Sequence, residues 1–411
     1  MVTVDGAQCR ALAYPALVGS PRVGDRVLLN VTALELGLGT GGYALVVAIP
    51  DRLPADPQLP GHVVKCRYSP LQATVASVDE QGSPYHELLS SADSVDGMPV
   101  VVADLHSALP AVLAGLFVSF RTAGAGFPRV AYVMQDGGAL PAWFSRTAAG
   151  LRAAGWLAAT VTVGQSFGGD LEAVTVHTGL LAARHVVGAD VAIVAQGPGN
   201  LGTGTAWGFS GVAAGEAVNA VAALSGRPVA SLRVSGADPR ERHAGVSHHS
   251  LTAYGRVALA PADVVVPALP EPLGSLVVSA VAPLAARHRL VTVPVDGLAE
   301  ALGGCPVPLS TMGRGLDADL AYFLAAAAAG RHAASLLAIP ALRRLCHGAC
   351  VTAPASRRRL CAALGHRSCR RTVRPPRWRC RPGPQGARPR PPRGYTPGRA
   401  RLARPGAPRC A

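Results

Sequence analysis

The segment "VAIVAQGPGNLGTGTAWGFSG", residues 191–211, holds the pattern that decides the fold. Small apolar side chains fill its first part, and a loop rich in glycine and threonine follows before a helix-like segment begins. An apolar run without polar alternation is typical of a strand buried on both faces, as in a parallel sheet. The segment therefore predicts a buried parallel strand that ends in a glycine loop.

Six similar apolar runs lie on either side of this segment. They are "PVVVADL", "RVAYVMQ" and "ATVTVG" before it and "RPVASLRVS", "ADVVVPAL" and "HRLVTVPV" after it. Segments with apolar residues at helical spacing lie between most of them, including 140–156, 211–226 and a closing helix at 317–337. The alternation predicts an α/β domain over residues 97–336, with about seven strands in a mostly parallel sheet layered by helices.

Residues 1–92 show a different pattern, with short β-rich runs broken by glycine, proline and aspartate. Such runs predict a small all-β domain that is barrel-like or sandwich-like. The chain begins almost inside a strand-like run. We interpret this start either as N-terminal truncation by one strand or as a misassigned start codon.

Residues 341–411 carry the positive charge of the chain. They hold 19 arginines and no lysine, aspartate or glutamate, which leaves 20 basic and 24 acidic residues in 1–340, a net charge of −4. Nucleic-acid binding is therefore not expected of residues 1–340, although binding through the tail stays an alternative. The tail is rich in arginine, proline and cysteine and lacks periodicity, so we predict disorder and favour a frameshift-derived, out-of-frame extension.

Four tail residues admit a zinc-module interpretation, which we favour less. Cys346 and Cys350, then His366 and Cys369, are paired at short spacing. The spacing matches no standard zinc finger, and paired spacing is what makes such an assignment specific.

The other cysteines and the apolar runs indicate the compartment. Cys9, Cys66 and Cys305 are dispersed through the body, which is typical of a reduced, cytoplasmic protein. The N-terminus lacks the basic start and apolar core of a signal peptide. The longest apolar runs, such as 276–286, are too short to cross a bilayer, so no membrane association is expected.

Five polar loops are expected to meet at one edge of the sheet. They span 103–107, 134–141, 163–177, 195–205 and 235–249. Parallel strands point their carboxyl ends to the same edge, and ligands usually bind in the crevice outside that edge. We therefore predict a ligand site there.

The glycine loop is a candidate anion site. Glycines can turn successive N–H groups inward around a phosphate or carboxylate, and a following helix N-terminus adds positive charge. The predicted ligand-binding residues of this loop are Gly197, Gly199, Gly202, Thr203, Gly204 and Thr205. It has neither the Gly-Lys-Ser/Thr of a P-loop nor a dinucleotide-binding fingerprint. The alternative is a tight turn without a ligand.

The segment 238–249 holds the densest polar cluster, with three histidines near Asp238 and Glu241. We assign His248 and His249 as catalytic candidates and His243 as a ligand-binding candidate, since histidine acts as a general base near neutral pH. A metal ion held by three or four of these side chains is a less favoured alternative, because the segment has no recognised metal spacing. No metal ligand is therefore assigned, and no particular cofactor is indicated. The alternative is a solvated loop capped by a serine.

Three further residues are candidates because of their positions in or near rim loops. Asp104 and Asp136 each follow a predicted strand, where a carboxylate can act as an acid or base or simply close a turn. Arg314, in "STMGRG", is a candidate anion partner or a plain surface residue.

Several chemistries are excluded by missing residues. The only lysine, Lys65, lies in the β region, which excludes a Schiff-base lysine in the α/β domain. No Gly-x-Ser-x-Gly elbow is present, and the rim loops contain no cysteine nucleophile.

The chain resembles an uncharacterised bacterial family known as domain of unknown function 3866. The resemblance spans about residues 10–336. The segments that carry it include "RALAYPALVG", "LGLGTGGYALVVA", "GPGNLGTGTAWGFSG", "DPRERHAGVSHHSLTAYGR" and "STMGRGLD". It implies no activity, cofactor or catalytic residue, because the family has none assigned.

Three functional hypotheses follow. The first is an enzyme that acts on a small anionic or phosphorylated ligand at the carboxyl edge of the sheet. The second is a non-catalytic ligand-binding or assembly protein, and the third is nucleic-acid binding through the tail. A homo-oligomer is compatible with the sequence. The sequence also leaves open whether the protein is an enzyme.

Overall fold

A computed structural model describes residues 1–39, 41–56, 61–137 and 140–337. The predicted tail at 341–411, with its cysteine and histidine pairs, lies outside the described residues.

An eight-stranded parallel sheet forms the centre of the described residues, which confirms the α/β prediction. Its strands are β1 (Pro99–Val102), β2 (Val130–Gln135), β3 (Ala159–Thr162), β4 (Leu171–Glu172), β5 (Val191–Gln196), β6 (Arg227–Ser231), β7 (Asp263–Ala268) and β8 (Arg289–Pro294). Their spatial order is β4-β3-β2-β5-β1-β6-β7-β8. Seven of these strands are the predicted runs. The eighth, β4, has only two residues, too few to show a pattern.

Helices cover both faces of the sheet. The helices of this layer are α1 (Leu109–Thr122), α2 (Arg146–Ala153), α3 (Val176–His185), α4 (Ala213–Ala223), α5 (His248–Thr252), α6 (Leu273–Val281), α7 (Leu298–Gly303) and α8 (Leu320–Leu336). Every residue of β1, β2 and β5 is buried, because α1 and α8 form one pair of packed helices and α3 and α4 form another. This two-sided burial explains why the strands read as continuous apolar runs.

Two glycines allow α1 and α8 to cross closely. A Cβ atom at Gly115 would lie 1.9 Å from the carbonyl oxygen of Ala327, and one at Gly330 would lie 1.9 Å from that of Val112. Backbone therefore meets backbone at this crossing, and a side chain at either glycine would force the helices apart.

The predicted helix at 140–156 is shorter in the structure. A 3-10 turn spans Ala142–Phe144, and α2 begins only at Arg146. Ser145 divides the two because its hydroxyl accepts a hydrogen bond from the N–H of Ala148 and so caps α2.

The first 92 residues hold small sheets, as the β-rich pattern predicts. Val2–Val4 pairs with Ala7–Cys9, Ala44–Ala48 lies between Ala11–Leu12 and Leu28–Asn30, and Val63–Lys65 pairs with Ala73–Val75. Short helices at Pro15–Val18, Thr32–Glu35 and His86–Ser90 connect them. The division of the chain at 92–97 stays a prediction.

Candidate functional site at the carboxyl edge

A pocket of about 520 Å³ lies at the carboxyl ends of three neighbouring strands, β5, β1 and β6. The loop after β1 leads to β2 on one side of the sheet, and the loop after β6 leads to β7 on the other. Adjacent strands whose connections leave in opposite directions open a crevice at this edge. We call this cavity the histidine pocket.

Four segments and one residue of α2, Thr147, line the histidine pocket. The segments are 105–107 after β1, 198–209 after β5, 233–249 after β6, and the hairpin at 310–312. Its lining residues are Leu105, His106, Ser107, Thr147, Pro198, Gly199, Asn200, Leu201, Gly202, Phe209, Arg233, Arg240, His243, His249, Ser310 and Met312. Three of the five predicted rim loops therefore meet here, while 134–137 and 163–174 border a different cavity.

Three histidines form the centre of the site. The ring of His249 stacks on Phe209 with centroids 3.6 Å apart and on His248 at 4.1 Å. His243 meets His249 edge-on, with centroids 4.8 Å apart. One ring nitrogen from each histidine lies within 4.8 Å of the others, so the sequence-predicted histidines form a compact cluster.

Local hydrogen bonds explain how the chain brings these rings together. Strand segments Val234–Ser235 and Gly245–Val246 pair antiparallel, which folds the intervening loop back on itself. Ser247 then caps α5 by accepting a hydrogen bond from the N–H of His249, and its hydroxyl also lies 2.8 Å from Nδ1 of His243. The predicted serine cap is therefore present and positions two of the histidines.

Burial and nearby arginines keep the histidines neutral. Burial, with Arg233 and Arg240 nearby, lowers the pKa of His243 to about 3. Burial also lowers the pKa of His249 to about 3, with the other two histidines adding to the effect, and it lowers that of His248. A base works best when its pKa lies near the working pH, so these rings are poor proton acceptors at neutral pH. They are suited to donate a lone pair to an electrophile.

Three ring nitrogens of this cluster are buried without a hydrogen-bond partner among the described residues. They are both nitrogens of His249 and Nε2 of His248. A buried polar atom that lacks a partner costs about 1–3 kcal/mol. Such an arrangement leaves these nitrogens available to a molecule or ion that enters the pocket.

Two arginines that the sequence analysis missed supply positive charge. Arg233 is 4% exposed and Arg240 is partly exposed, and both line the pocket. Arg240 donates two hydrogen bonds to Asp238, at 2.8 and 2.7 Å. Asp238 also pairs with Arg233 at 3.5 Å and with Arg314 at 3.1 Å. In the sequence, the position of Arg233 and Arg240 just after β6 is the only feature that could have indicated a role for them in the site.

Arg314, the predicted anion partner, is held by carboxylates. Its Nε lies 3.0 Å from Asp319 and its Nη2 lies 3.1 Å from Asp238. The arginines around Asp238 lower the pKa of that carboxyl well below its usual range, chiefly through the Arg240 hydrogen bonds. In this arrangement Arg314 positions Asp238, which in turn orients Arg240.

The glycine loop divides into two parts. Gly199 and Gly202 line the pocket, and Gly199 has φ +95°, a backbone conformation that favours glycine. Thr203 and Thr205 bond to each other and to the backbone of Gly208, so they form an internal turn. The structure thus places the predicted Gly204 in this exposed turn.

Gly197 packs away from the pocket lining. A Cβ atom there would lie 2.3 Å from Met134 and 2.8 Å from Leu140. This glycine allows the chain to leave β5 over a tightly packed surface, which is a structural role.

His106 lines the pocket, although the sequence analysis did not assign it to the site. Its Nδ1 lies 3.0 Å from the hydroxyl of Tyr132, which donates to the carbonyl of Gln196 at 3.0 Å. Its Nε2 lies 2.8 Å from the hydroxyl of Ser145. Burial lowers the pKa of His106 to about 4, so it is neutral and holds the pocket wall together.

Asp104 is buried and does not line the pocket. Its Oδ2 has no hydrogen-bond partner among the described residues. Burial raises the pKa of this carboxyl to about 6, and Arg233 opposes the shift. Its backbone carbonyl accepts hydrogen bonds from Gln196 and Asn200 and so ties β1 to the glycine loop.

Asp136 lies in the second cavity, apart from the histidines. This cavity, of about 410 Å³, is lined by His62, Val63, Val64, Arg67, Asp136, Gly164, Gln165 and Val174. Asp136 accepts a hydrogen bond from the N–H of Gln165 at 2.9 Å. The structure therefore does not bring Asp136 together with His248 and His249.

The described residues thus define a layered α/β protein with a histidine- and arginine-lined pocket at the carboxyl edge of its sheet. The chain belongs to the family described as Protein of unknown function (DUF3866), whose model matches residues 10–330. No curated protein and no solved structure matches the chain. Within the described ranges, no helix has both the length and the apolar character needed to span a membrane.

Proposed function

We propose that this protein is an enzyme whose substrate is a small anionic molecule bound in the histidine pocket. One observation carries the proposal. The pocket, at the carboxyl edge of a parallel sheet, combines two arginines with buried histidine nitrogens that have no hydrogen-bond partner in the described part of the chain. Arginines bind carboxylate and phosphate oxygens, and the histidine nitrogens are the reactive groups.

The arrangement of the arginines supports an anionic ligand. Arg233 and Arg240 share a single carboxylate, Asp238, with Arg314. Because Arg314 also pairs with Asp319, three guanidinium groups face two carboxylates, which leaves a net positive charge of one beside the pocket. An anion bound at Arg240 balances this charge in a partly desolvated site, where charge-assisted hydrogen bonds are strong.

The cysteines of the described part support a cytoplasmic location. Cys9, Cys66 and Cys305 are free thiols. Free, dispersed cysteines are typical of a reducing compartment.

The test measures binding and turnover with the full chain. Mixtures of phosphorylated and carboxylated metabolites are incubated with the wild type, Arg240→Met and Arg67→Met, and ligand binding and product formation are followed by NMR. Arg67 lines the second cavity and serves as the matched control. We expect Arg240→Met to weaken binding about 10–100-fold, the loss for a hydrogen bond to a charged group, and Arg67→Met to leave it unchanged.

Two outcomes would contradict the proposal in different ways. Equal binding by the wild type and Arg240→Met would remove the pocket as the anion site. Binding at the pocket without any product would favour the non-catalytic alternative.

A further inference from the structure

The histidine cluster has a property that anion binding alone does not explain. Arginines suffice to bind an anion, yet three imidazoles converge beside them with ring nitrogens within 4.8 Å of one another. His249 is 6% exposed, and neither of its ring nitrogens has a hydrogen-bond partner among the described residues. Nε2 of His248 is in the same state.

We propose that His243, His248 and His249 together bind one divalent transition-metal ion, with zinc as the best match. The role of this ion rests on the proposed function, because the ion would present its open coordination position to the anionic substrate. His243 and His249 both line the pocket, so an ion between their rings is accessible from it.

The donor set favours this class of ion. Imidazole nitrogen binds Zn²⁺, Cu²⁺, Ni²⁺ and Fe²⁺, whereas Mg²⁺ and Ca²⁺ require oxygen ligands. Three protein ligands with an open fourth position are typical of catalytic zinc sites, and structural sites use four. Such an ion polarises a substrate oxygen or activates a bound water.

Ser247 provides the supporting contact that metal-binding histidines need. Its hydroxyl lies 2.8 Å from Nδ1 of His243, which leaves Nε2 of that ring to bind the ion. A ligating histidine usually donates its other ring N–H to a nearby oxygen, which fixes both the tautomer and the ring orientation.

The cluster needs a small contraction to hold zinc. A zinc–nitrogen bond of 2.0–2.1 Å and tetrahedral angles place ligand nitrogens about 3.3 Å apart. The present separations reach 4.8 Å, so side-chain rotations of roughly 1 Å close the site around the ion.

The surrounding charge couples the ion to an anion. Three neutral imidazoles leave the ion with its full positive charge, and Arg233, Arg240 and Arg242 act on the same histidines. Asp238 pairs with Arg233 and Arg240, and it is shared with Arg314 as well. An anion at the open position offsets this repulsion, so we expect metal and anion to bind more tightly together than alone.

The test uses Co²⁺ as a spectroscopic substitute for zinc in the full chain, because a tetrahedral Co²⁺ site has intense visible absorption. The tail cysteines are first blocked with iodoacetamide, and the absence of a thiolate-to-cobalt absorption band confirms that they do not contribute. We expect one equivalent of Co²⁺ to bind to the wild type. His249→Ala and His248→Gln should lose the visible bands, with affinity reduced at least 100-fold.

Two further variants sharpen the result. His177→Ala is the matched control, because His177 is exposed on α3, and this variant should keep wild-type binding. Ser247→Ala removes the hydroxyl that supports His243 and caps α5, and it should weaken Co²⁺ binding about tenfold. Circular dichroism identifies any variant that fails to fold. If His249→Ala fails to fold, His248→Gln, at a less buried position, still tests the site.

The outcomes separate this inference from the proposed function. Equal Co²⁺ binding by the wild type and the folded histidine variants overturns the metal site. If the Arg240→Met effect on anion binding persists in that case, the proposed function stands without a metal. Loss of Co²⁺ binding in both histidine variants, with the His177→Ala control unchanged, supports the inference. Tighter Co²⁺ binding in the presence of inorganic phosphate supports the coupling.

Discussion

The buried polar groups beside the two cavities at the carboxyl edge of the sheet differ in whether they have hydrogen-bond partners. Next to the second cavity, the only lysine is fully buried, and its Nζ donates to the carbonyls of Ser166 and Ala173 at 2.9 and 3.0 Å. Glu172 lies 3.5 Å from the same Nζ and accepts hydrogen bonds from Thr162 and Gly168. In the histidine pocket, by contrast, three buried ring nitrogens have no hydrogen-bond partner within the described ranges.

This difference separates a structural site from a functional one. Lys65 lies in the N-terminal β region and joins Val63–Lys65 to the loop after β3, so its satisfied bonds hold two parts of the chain together. Unsatisfied groups cost stability, and proteins retain them where a ligand completes them. The comparison predicts that substitutions at Lys65 destabilise the protein, whereas substitutions at the histidines cost function and not stability.

The largest expected effect is at Lys65. Lys65→Met leaves the carboxyl of Glu172 buried without its cation, and breaking a buried pair from one side costs about 3–5 kcal/mol of unfolding free energy. Urea denaturation measures the loss. The double variant Lys65→Met with Glu172→Gln removes both charges and should recover part of the stability. A single variant as stable as the wild type would contradict a structural role for this pair.

An intermediate effect on the unfolding free energy is expected at Asp104. Its pKa of about 6 in the folded protein exceeds the usual value of 3.8, so the folded state holds a proton that the unfolded chain has lost between these pH values. Stability therefore falls as the pH rises from about 4 to 6, by about 3 kcal/mol at 1.36 kcal/mol per pKa unit. Asp104→Asn should remove this part of the pH dependence.

The measurement is the difference between the unfolding free energies of the wild type and Asp104→Asn from pH 4 to 7. Other titrating groups are common to both proteins and cancel. As the pH rises, the unfolding free energy of Asp104→Asn should increase relative to that of the wild type. Parallel stability curves would mean that the Asp104 carboxyl is not significantly shifted by burial.

The sequence predicted the sheet well because burial leaves a strong pattern. The seven apolar runs became strands; the central strands β1, β2 and β5 are covered on both faces and so contain few polar residues, whereas the edge strand β8 is only partly buried. The sequence also located the rim loops, because in a parallel sheet the loop that follows each strand lies at the carboxyl edge. Strand β4 was missed because Leu171–Glu172 has no periodicity to detect.

The sequence could not show which rim loops meet. That depends on strand order: β5 inserts between β2 and β1, which brings the glycine loop beside the histidines and leaves Asp136 in the other cavity. The role of Arg233 also depends on this packing, since nothing local distinguishes it from other arginines. Lys65 meets Ser166 across about 100 positions of the chain, a contact that no local pattern encodes.

The smallest expected effect on the unfolding free energy is at the histidine pocket, where we expect a substitution to stabilise the protein. His249→Phe keeps an aromatic ring to stack on Phe209 and removes two unpartnered ring nitrogens. We therefore expect the metal-free protein, kept so with a chelator, to gain about 1–2 kcal/mol of unfolding free energy. His177→Phe, at an exposed position of α3, should give no such gain. A loss of stability in His249→Phe without metal would mean that the ring nitrogens are satisfied in solution, and the histidine pocket would then resemble the lysine site instead of contrasting with it.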